Sequence, residues 1–330
     1  MPSKIWARLA ALTIAACSSS NPAPPPAKGK LVVVLTIDWE GAELSPEGLD
    51  ALDAVRKRLG DAPITHFVSA AYFTKATPDP LAVSTLTQSV RKGDQLAVHL
   101  HAWSSLAKAS GIAPKLAPSF LTGTDKVLVF EDGDVGFDTD LDAYSVAELR
   151  VLLRTSRRLI EQTHVPVSKA FRAGGYLSTP KVLEALRDEG YTVDSSAIDY
   201  RQLDEHDDDV LPNRLKAIWP GVEPGSQPWE VQAPGGRLLE LPIAAFADFS
   251  TPAEIVGVFD AAHAQLQKVP TRNVFVVLGF HQETAAEFAA RLGDAIEKVR
   301  ARPELASELS FATVDRAAEL AKAALASPAK

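Results

Sequence analysis

Two acidic residues directly after the first apolar run of the chain could act together on one substrate. Asp38 and Glu40 stand in the segment TIDWEG, at the end of a Val/Leu-rich run. In a strand, residues two apart share a face and lie about 7 Å apart. One carboxylate could then hold a metal ion while the other takes a proton from water. A helix N-cap followed by a loop carboxylate would use the same residue types, so the pair alone leaves both interpretations open.

Two histidines have the same spacing at the end of another apolar run. His99 and His101 stand in the segment VHLHAW, and the chain contains seven His in all. Imidazole is a favoured ligand of zinc and other divalent transition metals, and two rings on one face can reach one ion. A lone core histidine would need no such explanation. A pair beside two carboxylates favours a metal site.

An arginine and a further histidine end two later apolar runs. Arg172 stands in FRAGGY, where its planar guanidinium could orient a carboxylate. The glycines that follow it would let backbone N–H groups approach a ligand. His281 stands in LGFHQE and could donate a proton to a leaving group.

These groups need strands to position them, and the sequence supplies strands alternating with helices. Uncharged runs rich in Val and Leu are typical of strands buried on both faces. Eight segments have strand character: 31–37, 64–70, 95–101, 169–172, 192–195, 238–243, 274–280 and 309–312. Helical spacing or capping patterns mark six others: 46–59, 81–91, 145–163, 181–189, 253–267 and 284–300. This alternation predicts an α/β fold, a distorted (β/α) barrel of about seven parallel strands, with function at the carboxyl ends of the strands.

Two long segments have no clear periodicity. They span residues 102–144 and 201–236, and both are rich in proline and acidic residues. Irregular segments of this length in a compact fold are usually binding loops or lids, although solvated surface loops look the same in sequence.

The N-terminus has the pattern of an export signal. Lys4 and Arg8 precede a short apolar run that ends in IAAC at Cys17, the one cysteine of the chain. The run is too short to span a bilayer, and small residues before a cysteine resemble the lipobox of bacterial lipoproteins. We expect a lipoprotein signal peptide over 1–16, a Pro/Ser-rich tether over 17–30 and lipidation of Cys17. An ordinary cleaved signal with a chance cysteine is the alternative.

The remaining sequence predicts one domain over 31–325 and a tail over 326–330. With no second cysteine the domain has no disulfide, so its stability depends on its core. The formal charge is −8 and no basic patch occurs, which argues against nucleic acid as a partner. We expect an exported protein held by its lipid at a bacterial cell membrane, either the outer membrane or the periplasmic face in a Gram-negative cell.

The order of these segments resembles the polysaccharide deacetylase family (NodB-homology, carbohydrate esterase 4), over most of residues 31–325. The resemblance implies that Asp38 is the catalytic base, that Glu40 is a metal ligand and that His99 is the first metal histidine. The family has its second metal histidine four residues later, where this chain has Trp103. On geometric grounds, His101 is the candidate replacement.

The later motifs of the family are also recognisable, with changes. Arg172 matches the arginine that orients the base, while Gly174 replaces a proline and Tyr176 lies one residue late. Asp194, in VDSS, resembles the motif that positions this arginine, and His281 resembles the catalytic histidine. The resemblance implies a NodB-like barrel that binds a divalent metal ion, with zinc favoured over cobalt, nickel or manganese.

The leading functional hypothesis is a metal-dependent hydrolase that deacetylates an N-acetylated cell-envelope or extracellular polysaccharide. Tyr176 would contribute to substrate binding together with Trp39 and Trp103. A catalytically inactive envelope lipoprotein that binds glycan through Trp39, Trp103 and Trp219 is the first alternative. An amidohydrolase acting on a small amide is the second.

Overall fold

The computed structural model describes residues 28–42, 44–75, 80–203 and 209–326. The predicted signal peptide and Cys17 lie outside these residues, so the lipidation of Cys17 and the boundaries of the signal and tether stay predictions. Within the described ranges, no helix has the length and apolar character needed to cross a membrane.

The described residues form ten strands in one curled, mostly parallel sheet. Their bounds are β1 (Leu31–Trp39), β2 (Ile64–Ser69), β3 (Gln95–Leu100), β4 (Val167–Ala173), β5 (Val193–Asp194), β6 (Trp229–Ala233), β7 (Gly236–Glu240), β8 (Ile243–Phe246), β9 (Val274–His281) and β10 (Leu309–Ala312). The order across the sheet is β6-β7-β5-β4-β3-β2-β1-β9-β8, and β10 pairs with β1. Among these ten strands of the described residues, only β6 and β7 pair antiparallel.

One run of chain, 236–246, touches both sides of the curl. Its first half, β7, pairs with β5, and its second half, β8, pairs with β9. Pro242 lies between the two strands, and a parallel bridge joins Ile198 to Ile243. The sheet therefore curls round towards itself and forms an incomplete barrel. The predicted α/β barrel is confirmed, with more strands than the expected seven.

Ten α-helices of the described residues cover the sheet. They are α1 (Pro46–Leu59), α2 (Pro80–Ser89), α3 (Ser104–Ala109), α4 (Val146–Glu161), α5 (Pro180–Asp188), α6 (Val210–Ile218), α7 (Pro252–Lys268), α8 (Ala285–Arg300), α9 (Pro303–Ala306) and α10 (Val314–Ala326). Helix α1 has the predicted bounds, and the capping box of Ser145 and Glu148 opens α4 as expected. The irregular segments contain two unpredicted helices, α3 and α6.

The central strand β1 determines where the candidate catalytic groups lie. All nine of its residues are buried, and it pairs in parallel with β2, β9 and β10. Because parallel strands end at the same edge of a sheet, the residues that follow β1, β3, β4 and β9 meet there. In the register, Asp38 stands opposite His281, and His99 stands opposite Arg172.

Candidate active site

Glu40, His99 and His101 converge on one small volume at the carboxyl ends of β1 and β3. His99 Nε2 lies 3.2 Å from Glu40 Oε1 and 3.2 Å from His101 Nε2. His101 Nε2 lies 2.5 Å from Glu40 Oε2, and all three side chains are buried. One ligand atom from each residue lies within 4.8 Å of the others, which suits a single bound ion.

The hydrogen bonds on the far side of each ring fit a metal site. Nδ1 of His99 faces the Arg172 carbonyl at 3.0 Å, and Nδ1 of His101 faces the Phe137 carbonyl at 2.8 Å. A carbonyl accepts, so each Nδ1 is assigned as the donor, and each Nε2 faces the cluster, where a neutral imidazole offers its lone pair to a metal ion. Glu40 Oε2 lacks a hydrogen-bond donor despite its closeness to His101. Three acceptors therefore point at one place, and a divalent cation satisfies all of them.

The charges at this cluster are strongly coupled. Burial alone would raise the pKa of Glu40, but His101 and His99 outweigh burial and hold this pKa well below its usual value. Burial likewise lowers the pKa of His99, but the Glu40 carboxylate raises it more, so the net shift is upward. The carboxylate form of Glu40 that a metal needs is thus the favoured one.

Asp38 is held by a buried arginine, as the resemblance implies. Arg172 Nη1 donates to Asp38 Oδ1 at 2.6 Å and to Thr36 Oγ1 at 3.0 Å, and both members of the ion pair are fully buried. The guanidinium also lies 4.2 Å from the ring centre of Phe67. Asp38 Oδ2 has no hydrogen-bond partner, so it is available to accept a proton from a water molecule.

Ser195, rather than Asp194, positions Arg172. Arg172 Nε donates to the Ser195 carbonyl at 2.8 Å, and Nη2 donates to Ser195 Oγ at 3.0 Å. Asp194 instead accepts a hydrogen bond from Ser196 at 2.5 Å and stands opposite Glu240 on the next strand. The resemblance implies that Asp194 positions Arg172; the strand turns this side chain towards Glu240 on β7, so it acts on the arginine through the neighbouring backbone and not by a hydrogen bond.

Asp194 and Glu240 form a buried carboxyl pair. Burial raises the pKa of Asp194 to about 6, and burial together with the Asp194 charge raises the pKa of Glu240 well above its usual value. Glu240 Oε1 accepts the backbone N–H groups of Ser196 and Ala197 at 3.1 and 2.8 Å. The pair therefore fixes the backbone next to Ser195, and through it Arg172.

His281 has the surroundings of a general acid. Its Nδ1 lies 3.0 Å from Asp248 Oδ1, and its Nε2 lies 3.2 Å from the Tyr176 hydroxyl and 3.4 Å from Glu40 Oε1. Burial lowers the pKa of His281, but the charges of Asp248 and Glu40 outweigh burial and raise it to about 10. The imidazolium is the main form at neutral pH, with a proton to donate.

Asp38, Glu40 and His281 form a second group whose ligand atoms lie within 4.8 Å of one another. In this group Asp38 is already paired with Arg172 and His281 with Asp248. The cluster of Glu40, His99 and His101 therefore fits a metal better.

Two acidic residues at the site were missed in the sequence. Asp248 follows β8 and accepts the backbone N–H of His281 at 3.1 Å as well as facing its ring. Glu283 accepts the Glu40 N–H at 3.0 Å and the Tyr72 hydroxyl, and burial followed by the Glu40 charge raises its pKa to about 7. The one available signal was position, since both follow buried strands at the edge where the other groups meet.

The tryptophans predicted to bind substrate are structural. Trp39 has no exposed surface and donates to His66 Nδ1 at 3.1 Å. Trp103 is also fully buried, donates to the Glu40 carbonyl at 2.9 Å and lies under the Lys75 ammonium, 3.4 Å from its ring centre. Neither ring can stack on a sugar, so both predictions are wrong.

Two departures from the family pattern are physically linked. A Cβ atom at Gly174 would lie 2.7 Å from both Cε1 and Nδ1 of His101, and 2.8 Å from the Leu100 carbonyl. A side chain there, including the proline of the family motif, would occupy the space of this imidazole. Gly174 therefore leaves room for the imidazole of His101. His101 is the candidate for the second histidine ligand, which Trp103 cannot supply.

A cavity of about 300 Å³ opens above these groups. Glu40, His99 and His101 form part of its floor, with Tyr176 and His281 beside them. Tyr176 has a positive φ of 62° and is nearly buried, so its ring lines the cavity and its hydroxyl reaches His281. Its contact with substrate stays a prediction.

Comparison with known proteins supports the fold. No protein-family model matches the chain, and no curated protein is similar to it in sequence. A Mycobacterium smegmatis structure assigned as a polysaccharide deacetylase covers 94% of this chain and 96% of its own, with a TM-score of 0.55 and 17% identity. PuuE allantoinase covers 92% of this chain and 95% of its own, with a TM-score of 0.52 and 14% identity. The chain therefore has the curled α/β fold of the polysaccharide deacetylases, as its NodB-type resemblance predicts.

Proposed function

We propose that this protein is a metal-dependent hydrolase of amide bonds that removes N-acetyl groups from an amino-sugar polymer. The observation that carries the proposal is the convergence of three potential metal-ligand groups, from Glu40, His99 and His101, on one small volume. This cluster lies beside a buried carboxylate–arginine pair and a histidine held in its acidic form. The cluster would hold the metal ion, the pair supplies the general base and the histidine supplies the general acid that amide hydrolysis requires.

The residues divide the reaction as follows. A divalent ion, with zinc favoured, would supply Lewis acidity towards the amide carbonyl. Asp38 Oδ2 takes a proton from the attacking water as the new C–O bond forms, and Arg172 keeps Asp38 oriented. Backbone N–H groups of the turn at Tyr176 face the developing oxyanion. When the C–N bond breaks, His281 Nε2 gives its proton to the departing amine.

Metal binding is tested directly by elemental analysis of purified protein reloaded with zinc. We expect one tightly bound zinc ion per chain in the wild type and a clear loss in His101→Ala. His263→Ala is the matched control, because His263 pairs with Glu308 away from the site. Equal zinc content in His101→Ala and wild type would remove His101 from the ligand set.

Hydrolysis is tested by acetate release from N-acetylated glycans with added zinc or cobalt. Asp38→Asn keeps the shape of the side chain but cannot act as a base, so we expect it to abolish release. The mechanism fails if release survives both a chelator and Asp38→Asn.

A small amide is the second candidate substrate. The same fold carries an enzyme described as an allantoinase, so the fold does not select a polymer. The glycan-binding alternative loses its support, because Trp39, Trp103 and Trp219 are buried, and Trp219 donates to the Tyr176 carbonyl at 3.0 Å. Short N-acetylated oligosaccharides, compared with single amino sugars, separate the polymer from the small amide.

The cell-envelope location also stays a proposal. It rests on the lipobox-like sequence before Cys17, followed by a Pro-rich segment that suits a spacer. We expect a mass increase at Cys17 from acyl chains and recovery of the protein with membranes. Cys17→Ser should release the exported protein from the membrane fraction, and membrane association unchanged in this variant would contradict the anchor.

A further inference from the structure

The cavity above the catalytic groups has a polar floor and apolar walls. Its walls include Phe120, Leu121, Phe130, Phe137, Leu211 and Phe249. The polar side chains of the floor are the ones that the proposed reaction itself uses. A sugar ring placed against the walls would leave its hydroxyl groups facing hydrocarbon, which is costly. The walls suit an apolar group instead.

The mouth of the cavity also exposes apolar surface to solvent. Six large apolar residues of the described chain are exposed, and two of them, Leu121 at 45% and Phe249 at 36%, line this cavity. Leu128 at 42% and Val129 at 64% immediately precede the wall residue Phe130. Concentration of exposed apolar surface around one cavity indicates a ligand that covers it.

The proposed mechanism determines which end of the substrate meets which wall. His281 protonates the amine, so the leaving group lies on its side of the cavity, near Phe249. The acyl group then points to the opposite side, towards His101. There the His101 ring stacks on Phe137 at 4.2 Å and lies 6.1 Å from Phe120, and Phe130 lies 5.3 Å from Phe137. We call Phe120, Leu121, Phe130 and Phe137 the acyl wall.

We propose that the site prefers N-acyl groups longer than acetyl, with an unbranched alkyl chain lying against the acyl wall. The proposal rests on amide hydrolysis at this site and specifies its substrate as an N-acylated amine with a chain of several methylenes. The cavity of about 300 Å³ is at the small end of ligand pockets, which span about 300–1,000 Å³. An acetyl group alone would leave most of it unfilled, and each added methylene gains apolar contact.

The test is a chain-length series on one amine. Zinc-loaded protein is given N-acetyl-, N-butanoyl- and N-hexanoylglucosamine, and kcat/KM is measured for each. Burial of a methylene favours binding by about fourfold, so we expect kcat/KM to rise by up to that factor per methylene. Cleavage of the acetyl compound with a flat or falling series overturns the chain-length proposal and leaves the amide hydrolase in place.

Binding gives a second readout that does not depend on turnover. The same three compounds are titrated into zinc-loaded Asp38→Asn, and we expect Kd to fall along the series. If no compound is cleaved by the wild type but Kd falls with chain length, the proposed hydrolysis fails and the acyl wall stands. A Kd independent of chain length overturns the acyl wall.

A pair of variants separates the wall from general hydrophobic binding. Leu121 is half-exposed, so Leu121→Ser should fold, and we expect it to reduce the dependence of both kcat/KM and Kd on chain length. Val269→Ser is the matched control, because Val269 is similarly exposed at 37% but directly follows α7, outside the cavity. Equal chain-length dependence in the two variants would overturn the assignment of the wall.

Discussion

The pair of Asp38 and Arg172 allows a stability prediction that needs no substrate. Both side chains are fully buried, and Arg172 donates four hydrogen bonds, shared among Asp38, Thr36 and Ser195. Arg172→Met keeps much of the volume but leaves the Asp38 carboxylate buried and unpaired. Removal of one partner of a buried ion pair typically costs about 3–5 kcal/mol. We expect a loss of this size in the free energy of unfolding.

The companion variants make the origin of this loss measurable. Asp38→Asn leaves the guanidinium without its carboxylate, and the double variant leaves neither charge. Residues in direct contact commonly couple by about 0.5–3 kcal/mol, and this geometry places the pair in the upper part of that range. We therefore expect the double variant to lose clearly less than the sum of the two single variants.

The assay is urea unfolding of the wild type, the two single variants and the double variant at one pH. The dependence of the unfolding free energy on urea concentration (the m-value) is checked to be the same in all four. Arg302→Met is the control, since its partner Asp260 is half-exposed and such pairs contribute little. Losses that simply add, or a loss in Arg172→Met no larger than in Arg302→Met, would refute the reasoning that burial makes this pair strong.

Two further predictions concern the support of the site. Glu240→Gln removes the carboxyl group whose pKa burial and the Asp194 charge raise well above its usual value. A carboxyl pKa raised on folding costs stability as pH rises above the unfolded value of about 4.3, so in urea unfolding the variant should gain on the wild type over the window from about pH 4 towards neutral pH. A constant difference across the window would contradict this. Gly174→Ala should push against the His101 ring, lowering zinc affinity and costing about 1–3 kcal/mol of unfolding free energy, whereas Gly257→Ala, in open space on α7, should not. Equal zinc affinities in these two variants would count against the Gly174 explanation.

Local patterns were enough to predict the main strands and the residues at their ends. Continuous apolar runs identified β1 and β9, and the two-residue period placed Asp38 and Glu40 on one face. Helical spacing gave the bounds of α1. These features depend on neighbours in sequence, so the sequence alone carries them.

Contacts between distant segments could not be predicted in the same way. Ser195 replaces Asp194 as the partner of Arg172 because of how β5 turns its side chains in the folded sheet. Asp248 becomes the partner of His281 only when β8 pairs with β9. The predicted strand 238–243 is in fact parts of β7 and β8, separated around Pro242. Burial of Trp39 and Trp103 is likewise a tertiary property, since an apolar ring near a strand end can face either the core or a ligand.

The pairing of β1 has a consequence for the order of folding. This strand carries the proposed base, and one proposed metal ligand follows it directly. It lies between β2, which follows it closely in sequence, and β9, whose residues are 243 positions away. During synthesis the emerging chain can pair β1 on one side only. The other side waits for β9, and the first part of the β2 side waits for β10, so contacts of high sequence separation complete the candidate active site late. A chain that stops before Val274 would therefore present a long, apolar, unpaired strand edge, and the catalytic strand would be the part of the molecule most exposed to aggregation.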